Sequence, residues 1–441
     1  MLFQILRVAR RATPAVLGLL SFACVAAAGA QEPGAELQPA TETSRYVFDS
    51  TLLIVSAFAV MAMSMGLALR EAGLARMEQP LVPLKCLAVA AVAAAMTWLC
   101  GSGLASGVEP GGFLGDFVWW TAGDEAPGGG RAPGAIFLLQ AALAAAGAMI
   151  VSGAVAERMK MWPFMVFAGV FAGLIYPVAS SWAWGGGVLQ QRGFVDYAGA
   201  TILHSAAGWA ALSGALLIGP RYLRQDSARF DAARPIDPGL AACGAVLIWF
   251  GVYGAVAGAS AGLASVAAAT AIAAALVNAA LAASAGVLAA MIMTQIVYRR
   301  IDAAATINGA VGALAAISAE PFAPALWQAA VIGAFSGAIV TVGAPLLARA
   351  RIDDVAGAIP AHLFCGVWGT LIVPWTKESA SYVEQIIGIA MIGGFSSVMA
   401  FLAWTLLKYT VGLRLAAQTE FREHGSASSP PPFPGGKVNP R

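Results

Sequence analysis

The chain has 441 residues, 59% of them hydrophobic and only 11% charged, with a formal net charge of +2. A soluble globular domain carries about 25% charged residues, so a water-soluble fold is excluded as the main architecture, and the small net charge gives no global pull toward nucleic acid. No C-x-x-C pair, Walker loop or H-E-x-x-H helix occurs, which leaves thiolate metal binding, P-loop chemistry and zincin-type hydrolysis without a carrier, and nothing indicates a cofactor or an enzyme.

Arg7, Arg10 and Arg11 precede an apolar stretch from Ala15 to Ala28, and the small residues ending at Ala30 suit a cleavage site. This layout predicts a secretory signal peptide over residues 1–30, followed by a short polar external segment over 31–47. Beyond it, apolar runs near the length that spans a bilayer core recur along the chain. They predict eleven transmembrane helices near 48–69, 83–106, 134–156, 162–183, 199–219, 239–260, 266–298, 304–319, 323–347, 357–375 and 384–410. The fold class is therefore an all-α membrane protein, with the membrane domain at 48–412. Cys86, Cys100, Cys243 and Cys365 lie in or beside these runs and read as packing residues.

The loops carry an orientation signal. Arg76 and Lys85, Arg158 and Lys160, Arg221 to Arg234, Arg299 and Arg300, and Arg349 and Arg351 all follow odd-numbered spans. The alternate loops hold Arg131, Arg192 and Lys377 beside acidic groups such as Glu109 and Asp116. The positive-inside rule then places the N-terminus outside and the C-terminus in the cytoplasm, which agrees with a cleaved signal. The last segment, 413–441, ends in a Pro/Ser/Gly tract that cannot build a core and reads as a disordered cytoplasmic tail; His424 falls in it.

Two stretches, DYAGATILHSAAG from Asp196 and DVAGAIPAHLFCG from Asp354, share the pattern D-x-A-G-A-x-x-x-H-x-x-x-G. They hold His204 and His362, two of the three histidines in the chain. Five spans separate them, so their helices run in opposite directions, as an inverted-topology repeat of two five-helix halves plus one extra helix requires. Eight residues at about 1.5 Å each carry each histidine roughly 12 Å inward from opposite faces, so the two rings can meet near the midplane. A lone intramembrane histidine is often a satisfied packing residue. A symmetric pair points instead to function, although two facing histidines can also ligate one haem iron.

Several motifs, in order, resemble the Amt/Mep/Rh ammonium transporters: MGLALREAGLAR from Met65, VSGAVAERMKMWPF from Val151, WGGGVLQQRGFVDYAGATILHSAAGWAALSGALLIGPR from Trp184, IWFGVYGAVAGAS from Ile248, TINGAVGALAAISA from Thr306 and VGLRLAAQTEFREHG from Val411. The resemblance implies a homotrimer in the cell inner membrane, each subunit with its own pore between inverted halves. It implies that ammonium is recruited at an outer vestibule and deprotonated there, and that ammonia passes a histidine pair, here His204 and His362. By the same resemblance Asp196 and Trp184 belong to the recruitment site with Ser260 nearby, and a PII-type regulator meets such proteins at the cytoplasmic face. Where the family has two pore phenylalanines, Leu143 (after Gln140) and Ala255 stand; Ala259 stands at the recruiting hydroxyl beside Ser260, Val256 at an asparagine, and Leu363 at a glycine. These departures imply weak recruitment. They leave open an ammonium sensor, or a channel for another small neutral molecule, on the same fold.

Overall fold

The computed structural model describes residues 41–75, 81–106, 108–122, 130–221, 237–260 and 262–416. The expected signal peptide, the tail beyond 416 and His424 lie outside the described residues. What is described is helical, with no strand beyond a single bridge between Met159 and Arg414. Among the described residues, nine helices are long and apolar enough to cross a membrane: α1 (Glu42–Leu74), α2 (Val82–Ser106), α3 (Pro133–Val155), α4 (Met161–Arg192), α5 (Ala200–Ile218), α6 (Pro238–Gly258), α7 (Val266–Tyr298), α9 (Leu326–Arg349) and α11 (Tyr382–Thr410). Two shorter apolar helices, α8 (Ala303–Ile317) and α10 (Ile359–Leu371), complete the set.

Each start has a local cause. The Thr41 hydroxyl accepts from the Ser44 N–H at 3.2 Å, and Glu42 sits in the first turn where the helix dipole favours it. Helix α1 therefore begins at Glu42, six residues before the apolar run, because capping and not hydropathy sets that end. Asp237 caps α6 by accepting from the Leu240 N–H at 2.9 Å, with Pro238 in the first turn. Ser265 and Asp302 do the same for α7 and α8.

With no water in a bilayer core to reward apolar burial, helices associate through close packing of small residues. Along the α1–α6 contact, a Cβ added to Gly66 would lie 2.6 Å from the Gly244 carbonyl oxygen, so the two backbones touch. This pairs the first helix of one half with the first helix of the other. The start of α5 likewise packs against the start of α10, so the last helices of the two halves also meet. The Asp-His motifs thus face each other at the junction of the halves.

Charged residues read as inner-loop charges are in part interior. Arg158 and Arg221 are 0% and 2% exposed. Arg221 donates to both oxygens of Asp353, at 2.8 Å from Nε and 3.0 Å from Nη2, and also to Glu157. The chain after α11 docks on the same region: the Lys160 N–H donates to the Leu413 carbonyl and the Leu415 N–H to the Arg158 carbonyl, each at 2.9 Å. The tail expected from residue 413 is therefore held against the membrane domain at its start.

Candidate functional site

The repeated motif folds the same way twice. Gly199 has φ +94° and Gly357 φ +69°, left-handed values that disfavour any residue with a Cβ. The reversed backbone turns the next N–H groups onto the aspartate behind it. Asp196 accepts four of them: Oδ1 from Gly199 at 3.0 Å and Ala200 at 2.8 Å, Oδ2 from Thr201 and Ile202 at 2.8 Å. Asp354 accepts from Ala358 at 2.9 Å and Ile359 at 2.7 Å. Donors that a helix start leaves without partners are thereby satisfied by a carboxylate at the positive end of the dipole.

The helices then open not as α but as π turns, Ala200–Ser205 and Ile359–Phe364. The assumed rise of 1.5 Å per residue from each aspartate does not hold, since the first residues are a turn and the next six are π. The rings nevertheless meet. His204 Nδ1 lies 3.1 Å from His362 Nδ1, with centroids 5.1 Å apart and planes inclined by 22°. Both side chains are buried, at 2% and 0% exposure. A hydrogen bond between two Nδ1 atoms requires that one carry the proton and the other accept it, so the pair shares a single proton on that edge. His362 Nε2 has no hydrogen-bond partner among the described residues.

Neighbours hold the pair in place. The Thr201 and Thr370 hydroxyls bond across the junction at 2.6 Å. Leu363, standing where the resemblance suggests a glycine, fits because Gly208 faces it: a Cβ on Gly208 would lie 2.6 Å from Leu363 Cβ.

A cavity of about 580 Å³ has Gln140, Leu143, Trp184, Asp196, Ala255 and Ala259 in its wall. The Trp184 indole N–H donates to the Asp196 carbonyl at 2.6 Å, which fixes its ring in the wall. Gln140 Oε1 is buried without a partner. Ser260, expected beside the recruitment site, does not line the cavity; its hydroxyl turns to the Gly262 carbonyl at 3.5 Å. Nor do Trp119, Trp120 or Tyr253 supply the missing aromatics there. Trp120 packs on Phe137 at 4.7 Å and Tyr253 on Trp249 at 6.4 Å.

Several cavity residues escaped the sequence reading, among them Phe194, Tyr197, Tyr176 and Arg131. Tyr176 follows a π turn in α4 and lines the wall. Arg131, just before α3, also lines it and donates from Nη2 to the Ser260 carbonyl at 2.7 Å. Its only sequence signal was an arginine on a loop that the orientation rule expects to be poor in them. Beside the mouth, Lys377 Nζ donates to the Tyr197 hydroxyl and Glu320 Oε2, both at 3.0 Å. Partial burial alone would lower its pKa, but these two partners hold it above the usual lysine value.

Among the described residues, no three His, Cys, Asp or Glu side chains gather as a metal site. An iron held axially by both histidines needs two metal–nitrogen bonds of about 2 Å, hence nitrogens about 4 Å apart. The observed 3.1 Å is a direct hydrogen bond, so the geometry does not suit the haem reading.

Residues 51–427 match the family model described as the Ammonium Transporter Family. A putative ammonium transporter of Synechocystis sp. is 32% identical over 413 residues, covering 92% of each chain. The ammonium transporter Amt2 of Archaeoglobus fulgidus is 30% identical and covers 93% of this chain and 94% of its own. Among solved structures, a sensor Amt protein superposes with a TM-score of 0.81 at 24% identity, covering 88% of this chain and 100% of that one. Candida albicans Mep2 gives 0.75 at 20% identity, with 86% and 88% covered. These last two likenesses are of fold.

Proposed function

Since the chain belongs to the ammonium transporter family, we propose that it passes ammonium/ammonia through a cell membrane, taking substrate in the outer cavity and moving the uncharged form past His204 and His362. The observation that carries this is the Nδ1–Nδ1 contact of 3.1 Å between two buried rings on opposed helices. A cation in the middle of a bilayer is costly, and neutral ammonia is not. Two imidazoles that share one proton offer a donor and an acceptor to such a guest without adding a fixed charge.

In this reading Asp196 holds the start of α5 and contributes negative potential to the cavity, and Trp184 offers an aromatic face to the entering cation. Gln140, Leu143 and Ala255, in the cavity wall, stand at the gate positions of the pore. Membership of a transporter family supports its acting as a transporter and not as an enzyme. The same proposal includes removal of residues 1–30 as a signal peptide, an outer N-terminus and a cytoplasmic C-terminus in the inner membrane, assembly as a homotrimer, and a PII-type regulator at the cytoplasmic face. The arginine asymmetry and the family resemblance support these parts.

A second reading, an ammonium sensor with low conduction, is favoured by one observation: the wall carries Leu143, Ala255 and Ala259 where aromatic rings and a hydroxyl were expected. Reconstitution separates the two. Proteoliposomes given an ammonium pulse should show internal alkalinisation or charge movement, and His204→Ala or His362→Ala should abolish it or alter its selectivity. Vesicles as tight as protein-free controls, with correctly folded protein, would leave the sensor, or a channel for another small neutral molecule.

A further inference from the structure

The outer cavity has an electrostatic feature that the transport reading does not use. Among its described wall residues, one side chain is basic, Arg131, and one is acidic, Asp196. Asp196 spends both oxygens on four backbone N–H groups. Arg131 is less engaged: among the described residues it makes one Nη2 donation, to the Ser260 carbonyl at 2.7 Å, and no carboxylate among them lies within ion-pair distance. A guanidinium keeps its charge at any physiological pH and has five donors, of which one is engaged among the described residues.

The place it occupies matters as much as its charge. Ala259 lines the cavity, and Ser260 is the residue next to it, whose carbonyl Arg131 takes. A cation belonging to the protein therefore sits on the backbone acceptor at the edge of the wall where an external cation would be drawn in. Its field opposes that of Asp196 within the same cavity, leaving a wall with no net formal charge. An uncharged guest meets no such opposition, and Gln140 Oε1 presents a buried acceptor without a donor.

We propose that Arg131 is an affinity-determining residue of the outer cavity: its guanidinium weakens the capture of ammonium there. The part concerning flux rests on the transport reading above; the part concerning binding does not. A unit charge acting across a cavity at intermediate effective dielectric changes the binding constant of a monovalent cation by about three- to tenfold, and less as salt rises.

The test compares wild type, R131Q and R131K by two measurements at one fixed pH. The first is equilibrium binding of radiolabelled methylammonium to solubilised protein at low and high ionic strength. Arg131→Gln should bind it about three- to tenfold more tightly than wild type at low salt. The gap should close as salt is added, and Arg131→Lys should stay near wild type. The second is the half-saturating ammonium concentration for flux in proteoliposomes, which should fall in R131Q by the same factor. Equal binding by wild type and R131Q overturns the proposal. So does an R131K variant that behaves like R131Q, because the effect would then belong to the Ser260 bond and not to charge. Tighter binding in R131Q with no flux in any variant would uphold the role of Arg131 and sink the transport reading instead.

Discussion

Asp196 accepts two N–H bonds on each carboxylate oxygen, and an asparagine in its place accepts on one side only. Asp196→Asn would turn an NH₂ group toward two backbone donors that have no other acceptor. Each buried donor left unsatisfied costs about 1–3 kcal/mol, so the variant should melt well below wild type when the solubilised protein is heated and assayed by size exclusion. Transport should fall with it, through a displaced His204 and a weaker negative potential. An Asn variant with unchanged melting and unchanged flux would remove both roles. This part of the site was legible in the sequence because its chemistry is local: an aspartate, a left-handed glycine and the helix start all fall within a few residues. Ser260 and Arg131 were not legible, because the bond that gives them meaning joins residues 129 apart in the chain. Reading Ser260 by its proximity to Ala259 assumed that its hydroxyl faced inward, and a one-residue step around a helix end was enough to turn it away.

The spans could be read from the sequence because a bilayer admits only helices whose backbone is satisfied internally, which ties apolar length to structure. The ends were less legible. Thr41 extends α1 outward by capping it, and Asp302 fixes the start of α8, a helix of only 15 residues. The π turns that carry both histidines left no mark in composition, since widening a turn by one residue changes hydrogen-bond pairing and not residue type. The facing positions Gly208 and Leu363 lie in α5 and α10 and give a test at this scale. A Cβ on Gly208 would lie 2.6 Å from Leu363 Cβ, so Gly208→Ala should destabilise by about 1–3 kcal/mol through overpacking. Leu363→Ala removes only the outer carbons of the leucine and keeps the Cβ, Cα and N that the new methyl would meet at 2.6–2.7 Å. The double mutant should therefore be no more stable than the sum of the single effects. Thermal melts of all four proteins measure that coupling, and a rescue of Gly208→Ala by Leu363→Ala would mean that the outer leucine carbons, and not the backbone and Cβ at 363, press on position 208.

At the scale of the whole molecule, the two halves are joined by polar clamps at their ends as well as by small-residue packing between them. Arg70 of α1 donates from Nε to Asn308 Oδ1 of α8 and from Nη2 to the Ala356 carbonyl, both at 2.8 Å. Arg221, after α5, grips Asp353, before α10, with two side-chain N–H groups, and its backbone N–H donates to the same carboxylate at 3.0 Å. Glu157 from the α3–α4 connection closes the cluster on Arg221. The sequence placed Arg221 among inner-loop charges, and the rule that uses such charges counts them without asking which are solvated. Burial alone would lower the guanidinium's pKa, but the charges and hydrogen bonds of Glu157 and Asp353 raise it beyond the usual arginine value, so it stays ionised between the two carboxylates. Removing one partner of a buried pair costs about 3–5 kcal/mol, because the other charge remains desolvated. Arg221→Met should accordingly lower the melting temperature of the solubilised protein more than Asp353→Asn, which keeps a hydrogen-bonding side chain beside the guanidinium. The double variant should recover part of the loss, since no isolated carboxylate of Asp353 then remains. Because Arg221 and Asp353 flank the helices bearing His204 and His362, a loosened clamp should also widen the spread of histidine separations. A nitrogen-15 spectrum of the imidazoles, in which the shared proton marks the closed pair, should therefore broaden in Arg221→Met and sharpen again in the double variant. A melt unchanged by Arg221→Met would show that small-residue packing alone holds the halves together.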